Sequence, residues 1–389
     1  MESTLRRTWA EINLDALTWN YEKIREYIGK DVKFLGVVKA DAYGHGSVMI
    51  SKKLQQLGAD YLAVSSIDEA MELRNNEITM PILILGHTPK EQVDRLIKYD
   101  ITQAVTCVAK AEEYSKEAVK CGGTLKIHVK VDTGMSRLGH ICEGDYFQHG
   151  VEGIVHVCSL PNLYAEGIFT HFAMADEPDE DCIKYTEHQF ELFMNVIREV
   201  EKKTGKKFLL RHCANTGATV DYPKTYLDMV RPGLLLYGYG EHAKKIGLRP
   251  VMSMKTTIST IKIYPAGTKI GYVGIYTTTD TARIGVVPYG YADGFLRCLS
   301  NRYHLMTSQG AAPVRGKICM DMSMIDLTGK PQVDVGDVVE IFGEENPLEE
   351  MAEMAGTIPY ELVCAVSKRV PRMYLENGKV ISKELMLRM

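Results

Sequence analysis

The 389-residue chain carries 46 lysines and arginines against 50 aspartates and glutamates, a formal net charge of −4, with 45% hydrophobic and 25% charged residues. A large folded core is expected and global disorder is not, and the balanced charge gives no electrostatic reason for a nucleic-acid or anionic-membrane partner. The sequence offers neither a secretory leader nor the roughly 20-residue apolar stretch of a membrane helix; its nine scattered cysteines, without a CxxC pair, suggest free thiols, no zinc site and a cytoplasmic setting.

From residue 34 onward, short β-rich runs recur: FLGVVKA (34–40), YLAVSS (61–66), PILILG (81–86), ITQAVTC (101–107), KIHVKVD (126–132), AEGIFTHF (165–172), FLLRHCAN (208–215) and MVRPGLLLYG (229–238). Several are apolar on both faces, as parallel strands covered by helices should be. Helix-prone stretches at 47–57, 66–76, 110–120 and 185–203 separate them, and the acidic DEPDED (176–181) reads as a solvated loop. Eight such repeats match a closed (β/α)8 barrel. A doubly wound open sheet is the competitor, but no GxGxxG or GxxxxGK[ST] follows the first strand to support it.

After about residue 245 the pattern changes to β-branched runs at 254–267, 276–294, 311–327 and 333–343, punctuated by glycine and proline. That texture suits a mostly antiparallel β domain. The expected organisation is a barrel over 11–245 and a β domain over 246–389, joined by the first ten or so residues.

In a (β/α)8 barrel the active site lies at the C-terminal ends of the strands. Lys39 closes the first run and Tyr43 sits in the loop beyond it. Asp132 and Arg137 flank the end of the fifth, His171 ends the sixth, Asn215 and Thr216 the seventh, and Arg231 and Gly233 belong to the eighth. Each has an ordinary structural alternative: a lysine snorkelling to solvent, a strand-end histidine with satisfied hydrogen bonds, a loop aromatic at Tyr43, an ion pair between Arg137 and Asp132. For Lys39 the functional alternative is an amine whose pKa burial and neighbouring cations lower until it is nucleophilic.

VVKADAYGHG resembles the cofactor-binding signature of the alanine racemases, fold-type III enzymes that use pyridoxal 5'-phosphate. The likeness continues through TWAEINLDAL (8–17), VKVDTGMSRLG (129–139), EGIFTHFAMADE (166–177), RHCANTGA (211–218), MVRPGLLLYG (229–238), GYADGFLR (290–297), GKICMDMSM (316–324) and TIPYELVCAVSKRVPR (357–372). So many ordered matches favour the barrel over the open sheet.

The resemblance implies interconversion of L-alanine and D-alanine, supplying D-alanine for peptidoglycan. Racemisation needs two acid–base groups on opposite faces of the α-carbon. The resemblance gives Lys39 as cofactor-carrying lysine and base for the D-enantiomer, and Tyr272, in KIGYVGIY, as base for the L-enantiomer. A tyrosine titrates near pH 10 when unperturbed, with the usual value about 10, so Tyr272 needs help, which His171 and Arg231 are expected to give. Arg231 is expected at the pyridine nitrogen, which a guanidinium leaves unprotonated. Arg137 is expected near the cofactor's phenolic oxygen and the substrate carboxylate.

The cofactor phosphate is expected at Tyr43, Thr216, Gly233, Leu234 and Tyr360, with Asn215 alongside. Lys130 matches a lysine that is carbamylated in some relatives. Tyr272, Tyr291, Cys319, Met320 and Asp321 are implied to come from the partner subunit of a homodimer with shared sites, Tyr291, Cys319 and Asp321 lining the entrance and Met320 the substrate pocket. No metal is implied.

Three residues depart from the family pattern: Val273 where glycine is usual, Thr216 for serine, and Met322 for a common glutamine. A β-branched Val273 resists positive φ, so the loop that aims Tyr272 is expected to run differently. A serine or broad-specificity racemase is the main alternative. A decarboxylase on the same barrel is disfavoured by Arg231 where such relatives have an acidic residue, and a non-catalytic cofactor carrier by the β domain itself.

Overall fold

The computed structural model describes residues 7–385; residues 1–6, which the two-domain expectation gave to the β domain, lie outside the described residues. The chain separates into two compact units. One comprises the chain up to Trp19, Tyr237–Gly240 and the chain from Leu248 onward; the other is Asn20–Leu236 with Glu241–Gly247.

The second unit is a parallel barrel. Its strands are Lys33–Val37, Tyr61–Val64, Ile82–Ile84, Ile101–Val105, Leu125–Asp132, Leu163–Phe169, Leu210–His212 and Met229–Val230, hereafter the first to eighth barrel strands. They hydrogen-bond in that order, and the eighth pairs back onto the first through Met229↔Lys33 and Val230↔Phe34. Tyr61–Val64, Ile82–Ile84 and Ile101–Val105 are buried along their whole length, as strands with side chains in the barrel on one face and under helices on the other must be.

Between the seventh and eighth strands the ladder is replaced by flanking bonds. Asp228 N–H donates to the Arg211 carbonyl at 3.1 Å and Arg231 N–H to the Ala214 carbonyl at 3.0 Å. Arg211 Nε and its own N–H both reach Asp228 Oδ2, at 2.7 and 2.8 Å.

Local chemistry fixes the covering helices. Ser47–Leu57 ends at left-handed Gly58, and Ile67–Asn75 opens with a complete capping box between Ser66 and Glu69. The acidic stretch read as a loop is only partly one. Asp179 caps the helix Glu180–Thr204 through Cys182 N–H, and Glu180 and Asp181 occupy its first turn, where carboxylates meet the positive end of the helix dipole.

The first unit is mostly antiparallel. Its seven-stranded sheet runs Gly310–Pro313, His304–Thr307, Val338–Phe342, Met252–Thr257, Thr8–Asn13, Arg372–Glu376, Lys379–Glu384. Only the Thr8–Asn13/Arg372–Glu376 pair in it is parallel. Thr260–Tyr264, Ala282–Val287 and Ser323–Asp326 form a smaller antiparallel sheet. Two helices that β-branched patterning gives no hint of, Leu348–Ala355 and Pro359–Cys364, interrupt the strands. No helix among the described residues is long and apolar enough to cross a membrane.

Candidate active site

The barrel-mouth residues lie just beyond the hydrogen-bonded strand ends. The first strand stops at Val37, and Lys39 opens a turn in which Ala40, Asp41, Ala42 and Tyr43 all adopt left-handed φ/ψ, with φ between 52° and 56°. Four consecutive left-handed non-glycine residues are costly, about 1–2 kcal/mol each. Side chains and backbone hold them in place. Glu69 Oε1 accepts Ala40 N–H at 2.7 Å, Asp41 Oδ1 accepts Ser47 N–H at 2.8 Å, and Ala42 N–H reaches the Val38 carbonyl at 2.9 Å. The buried His45 places Nδ1 at 2.9 Å from the Ala42 carbonyl and 3.0 Å from that of Tyr43. Carbonyls only accept, so Nδ1 carries the proton.

The turn brings the Tyr43 hydroxyl to the seventh and eighth strand ends. A Cβ built on Gly233 would lie 3.1 Å from the Tyr43 hydroxyl and 3.7 Å from Thr216 Oγ1. Two hydroxyls thus converge on the bare face of Gly233, a cradle that any side chain there would fill. Leu235 N–H points to Thr216 Oγ1 at 3.5 Å, and Leu234 is buried beside it. Thr216 begins the helix Thr216–Asp221, and Asn215 caps it by accepting Ala218 N–H at 3.2 Å. Hydroxyls and a glycine at loops seven and eight suit a phosphate group, so the residues present fit the implied cofactor.

Arg231 is buried. Its Nη2 donates to the Thr170 and Cys213 carbonyls at 2.8 and 3.2 Å and points to His171 Nδ1 at 3.4 Å. Burial brings the guanidinium down to about 10, still far above neutral pH, so it stays charged. A donor-only guanidinium makes His171 Nδ1 the acceptor and leaves the His171 proton on Nε2. Burial and then the charge of Arg231 hold His171 well below its usual value. It is therefore neutral and offers a hydrogen bond, not the charge of an imidazolium.

Lys130 is buried, its Nζ has no hydrogen-bond partner and lies 4.9 Å from the Phe169 ring centroid. Burial first and Arg231 second push its pKa well below the lysine range. Arg137 is exposed. Asp132 does not pair with it; Asp132 Oδ1 instead accepts the N–H groups of Gly134 and Ser136, each at 3.0 Å, shaping the loop that carries Arg137.

In the β unit, Tyr272 stands on a one-turn helix, Tyr272–Gly274, at the tip of the Lys269–Ile270/Tyr276–Thr277 hairpin and is 67% exposed. The β-branched Val273 does take a left-handed backbone, with φ 61°. Its side chain is exposed, so the strain of this conformation is not offset by packing. Tyr291, Cys319, Met320 and Asp321 come together through Tyr291 N–H to the Cys319 carbonyl and Ala292 N–H to the Met320 carbonyl, both 3.0 Å. Gly290 makes room for that contact, since a Cβ there would meet both carbonyls at 2.4 Å. Arg369 Nη2 holds Asp321 at 2.8 Å. Tyr360 lies half-buried in Pro359–Cys364.

The residue-type reading missed the groups that brace this site. Glu69 and His45 hold the turn, and His128, Glu166 and His212 line the barrel interior behind Arg231. The last three carried one sequence signal: polar residues inside otherwise apolar barrel strands.

The barrel with its lysine, guanidinium and hydroxyl cradle at the strand ends, and the separate β unit, define a two-domain (β/α)8-barrel enzyme. The alanine racemase N-terminal domain family matches residues 12–241 and the alanine racemase C-terminal domain family residues 251–374. Alanine racemase 2 of Caldanaerobacter subterraneus subsp. tengcongensis is 41% identical over 387 residues, covering 98% of both chains. The alanine racemase of Methanococcus maripaludis is 44% identical over 375 residues, covering 94% of this chain and 98% of its own. Among solved structures, the alanine racemase of Clostridium difficile 630 superposes with a TM-score of 0.93 at 38% identity and full coverage of both chains. That of Bacillus anthracis with bound L-Ala-P gives 0.88 at 34%, covering 98% of each. The chain belongs to the alanine racemase family and is an isomerase.

Proposed function

We propose that the protein interconverts L-alanine and D-alanine using pyridoxal 5'-phosphate, with Lys39 and Tyr272 as the two acid–base groups, and that its D-alanine feeds peptidoglycan synthesis in the cytoplasm. The observation that supports this reading is the left-handed turn, with Lys39 at one end and Tyr43 at the other, its hydroxyl facing Thr216 and Gly233. The nine cysteines are free thiols, which fits a reducing compartment.

When bound, the cofactor supplies an aldehyde for an amine and a conjugated ring that spreads the charge left by the departing α-proton. Tyr43, Thr216, Gly233 and Leu234, with Asn215 and Tyr360, would hold the phosphate. Arg231 would offer the ring nitrogen a donor that keeps its own proton near neutral pH. Lys39 takes or returns the α-proton at Nζ on one face; Tyr272 of the partner subunit does so at its hydroxyl on the other. His171 presents Nε2–H to that tyrosine, and Arg137 pairs with the substrate carboxylate. Tyr291, Cys319, Met320 and Asp321 narrow the way in, which favours a methyl side chain, although one methylene discriminates by only about 1–3 kcal/mol. Lys130, kept as the free amine by burial, is the nucleophile for carbon dioxide, forming a carbamate and releasing a proton.

Incubation with single L-amino acids, followed by chiral chromatography, is expected to show D-alanine as the main product. Rapid turnover of serine with alanine inert would overturn the substrate. Tyr272→Phe is expected to keep the visible absorbance of bound cofactor and lose α-proton exchange on L-alanine; unchanged exchange removes Tyr272 from the mechanism.

A further inference from the structure

Behind Arg231 a chain of side chains runs down the barrel interior. Arg231 Nη1 lies 2.9 Å from His212 Nδ1, His212 Nε2 lies 2.9 Å from His128 Nδ1, and His128 Nε2 lies 3.2 Å from Glu166 Oε2. The same Oε2 accepts the Tyr61 hydroxyl at 2.9 Å, and Tyr61 also meets Thr102 Oγ1 at 2.9 Å. His128 and His212 are fully buried. Burial lowers both pKa values and keeps the rings neutral.

Donor and acceptor rules leave this chain one direction. Arg231 can only donate, so His212 Nδ1 accepts and its proton sits on Nε2. That proton goes to His128 Nδ1, which places the His128 proton on Nε2, aimed at Glu166. Glu166 must then be the ionised acceptor, and its bond from His128 and a second from Tyr61 hold its pKa below the usual carboxylate range. Its side chain keeps 18% exposure, so the charge is partly solvated.

Two features show that the fold makes room for this chain. A Cβ on Gly167 would strike the His128 ring at 2.8 Å, and the fifth and sixth barrel strands shift register between Ile127 and His128. Phe169 stacks on His212 at 4.8 Å, fixing its plane. Among the described residues, no carboxylate hydrogen-bonds Arg231 directly; its other protein partners are carbonyls and His171. A buried cation without an opposing charge is costly, and here the charge is delivered through two oriented imidazoles.

We propose that Glu166, acting through His128 and His212, positions the Arg231 guanidinium and offsets its buried charge, so that Glu166 and His128 are positioning residues for the racemisation proposed above. The inference rests on the placement of Arg231 at the cofactor ring. The chain holds Arg231 in place and does not shuttle protons, because the guanidinium at its head keeps its proton near neutral pH.

The test separates the two readings. Histidine nitrogen NMR of the cofactor-free wild-type protein is expected to show His128 and His212 protonated on Nε2 alone. Glu166→Leu removes the terminal acceptor while Arg231 still fixes both tautomers, so the His128 Nε2–H proton is expected to lose its hydrogen bond and shift upfield, and the His212 Nε2–H proton to keep its own. Either histidine carrying Nδ1–H in the wild type, or a His128 Nε2–H shift unchanged in Glu166→Leu, overturns the chain. Glu166→Gln, nearly isosteric and able to accept through its oxygen, guards against a folding failure. In the loaded enzyme its kcat is expected to fall about fivefold, with KM changed less than about twofold, the scale at which network substitutions act. An unchanged kcat in Glu166→Gln overturns the positioning role. If Arg231→Lys leaves kcat unchanged while the tautomers behave as expected, the cofactor-ring reading of Arg231 fails and the chain stands.

Discussion

Lys130 is a buried amine with an unpaired Nζ and a neighbouring guanidinium. Its pKa is depressed in the fold, whereas in the unfolded chain it returns to about 10.4. Between the folded and unfolded values the unfolded state binds a proton that the folded state lacks, so stability rises with pH through that window. At neutral pH the free amine therefore destabilises the barrel. In carbon-dioxide-free buffer, Lys130→Met should raise Tm at pH 7 by about 2–4 °C, roughly the effect of 1 kcal/mol in a domain of this size, and should flatten the rise toward high pH. Added bicarbonate should raise the wild-type Tm and leave Lys130→Met unmoved; an equal response in both would remove carbamylation. Val273 gives a second prediction. It is 81% exposed and left-handed, so Val273→Gly removes about 1–2 kcal/mol of strain against about 0.4–1 kcal/mol of added unfolded-chain entropy. Urea unfolding should show a net gain below about 1.5 kcal/mol, and destabilisation would show that Val273 is packed.

At the level of elements, the eight barrel strands were legible because parallel strands buried on both faces leave continuous apolar runs, as in PILILG and ITQAVTC. The turn after the first strand was not legible in its geometry. KADAY contains no glycine, and nothing in local propensity favours four left-handed residues; the turn exists because Glu69, from a later helix, and the bonds of Asp41 and His45 hold it. Asn215 and Thr216 likewise read as strand residues but begin a helix, since an asparagine cap decides the boundary. The turn's dependence on Glu69 can be measured. Glu69→Ala should weaken pyridoxal phosphate binding to the cofactor-free protein about tenfold, in line with about 1–2 kcal/mol for a charged acceptor lost at a backbone donor. Adding Ala40→Gly, which tolerates φ 52° without strain, should restore much of that affinity without restoring the helix cap that Glu69 also provides. If Ala40→Gly weakens binding further, strain at the turn is not what Glu69 opposes.

At the scale of the whole molecule, the chain places its two proposed acid–base groups in different compact units, Lys39 in the barrel and Tyr272 on an exposed hairpin of the β unit. The change from helix-rich to β-branched patterning made this two-part organisation visible in the sequence; no spacing could say which copy's tyrosine serves which lysine. Shared sites in a homodimer have a consequence that self-contained sites lack. Lys39→Ala and Tyr272→Phe each inactivate both sites of their own homodimer. In a mixed dimer, one site combines the Lys39 of the second variant with the Tyr272 of the first and is intact, while the other site carries both substitutions. Random re-association of equal amounts makes half the dimers mixed, so activity should recover to about a quarter of wild type, as closed two-fold symmetry requires. The recovery should appear only after conditions that exchange subunits, and its size should follow the mixing ratio. If each site used a lysine and a tyrosine from the same chain, no mixture of the two variants would contain an intact site, and activity would stay at the level of the separate variants.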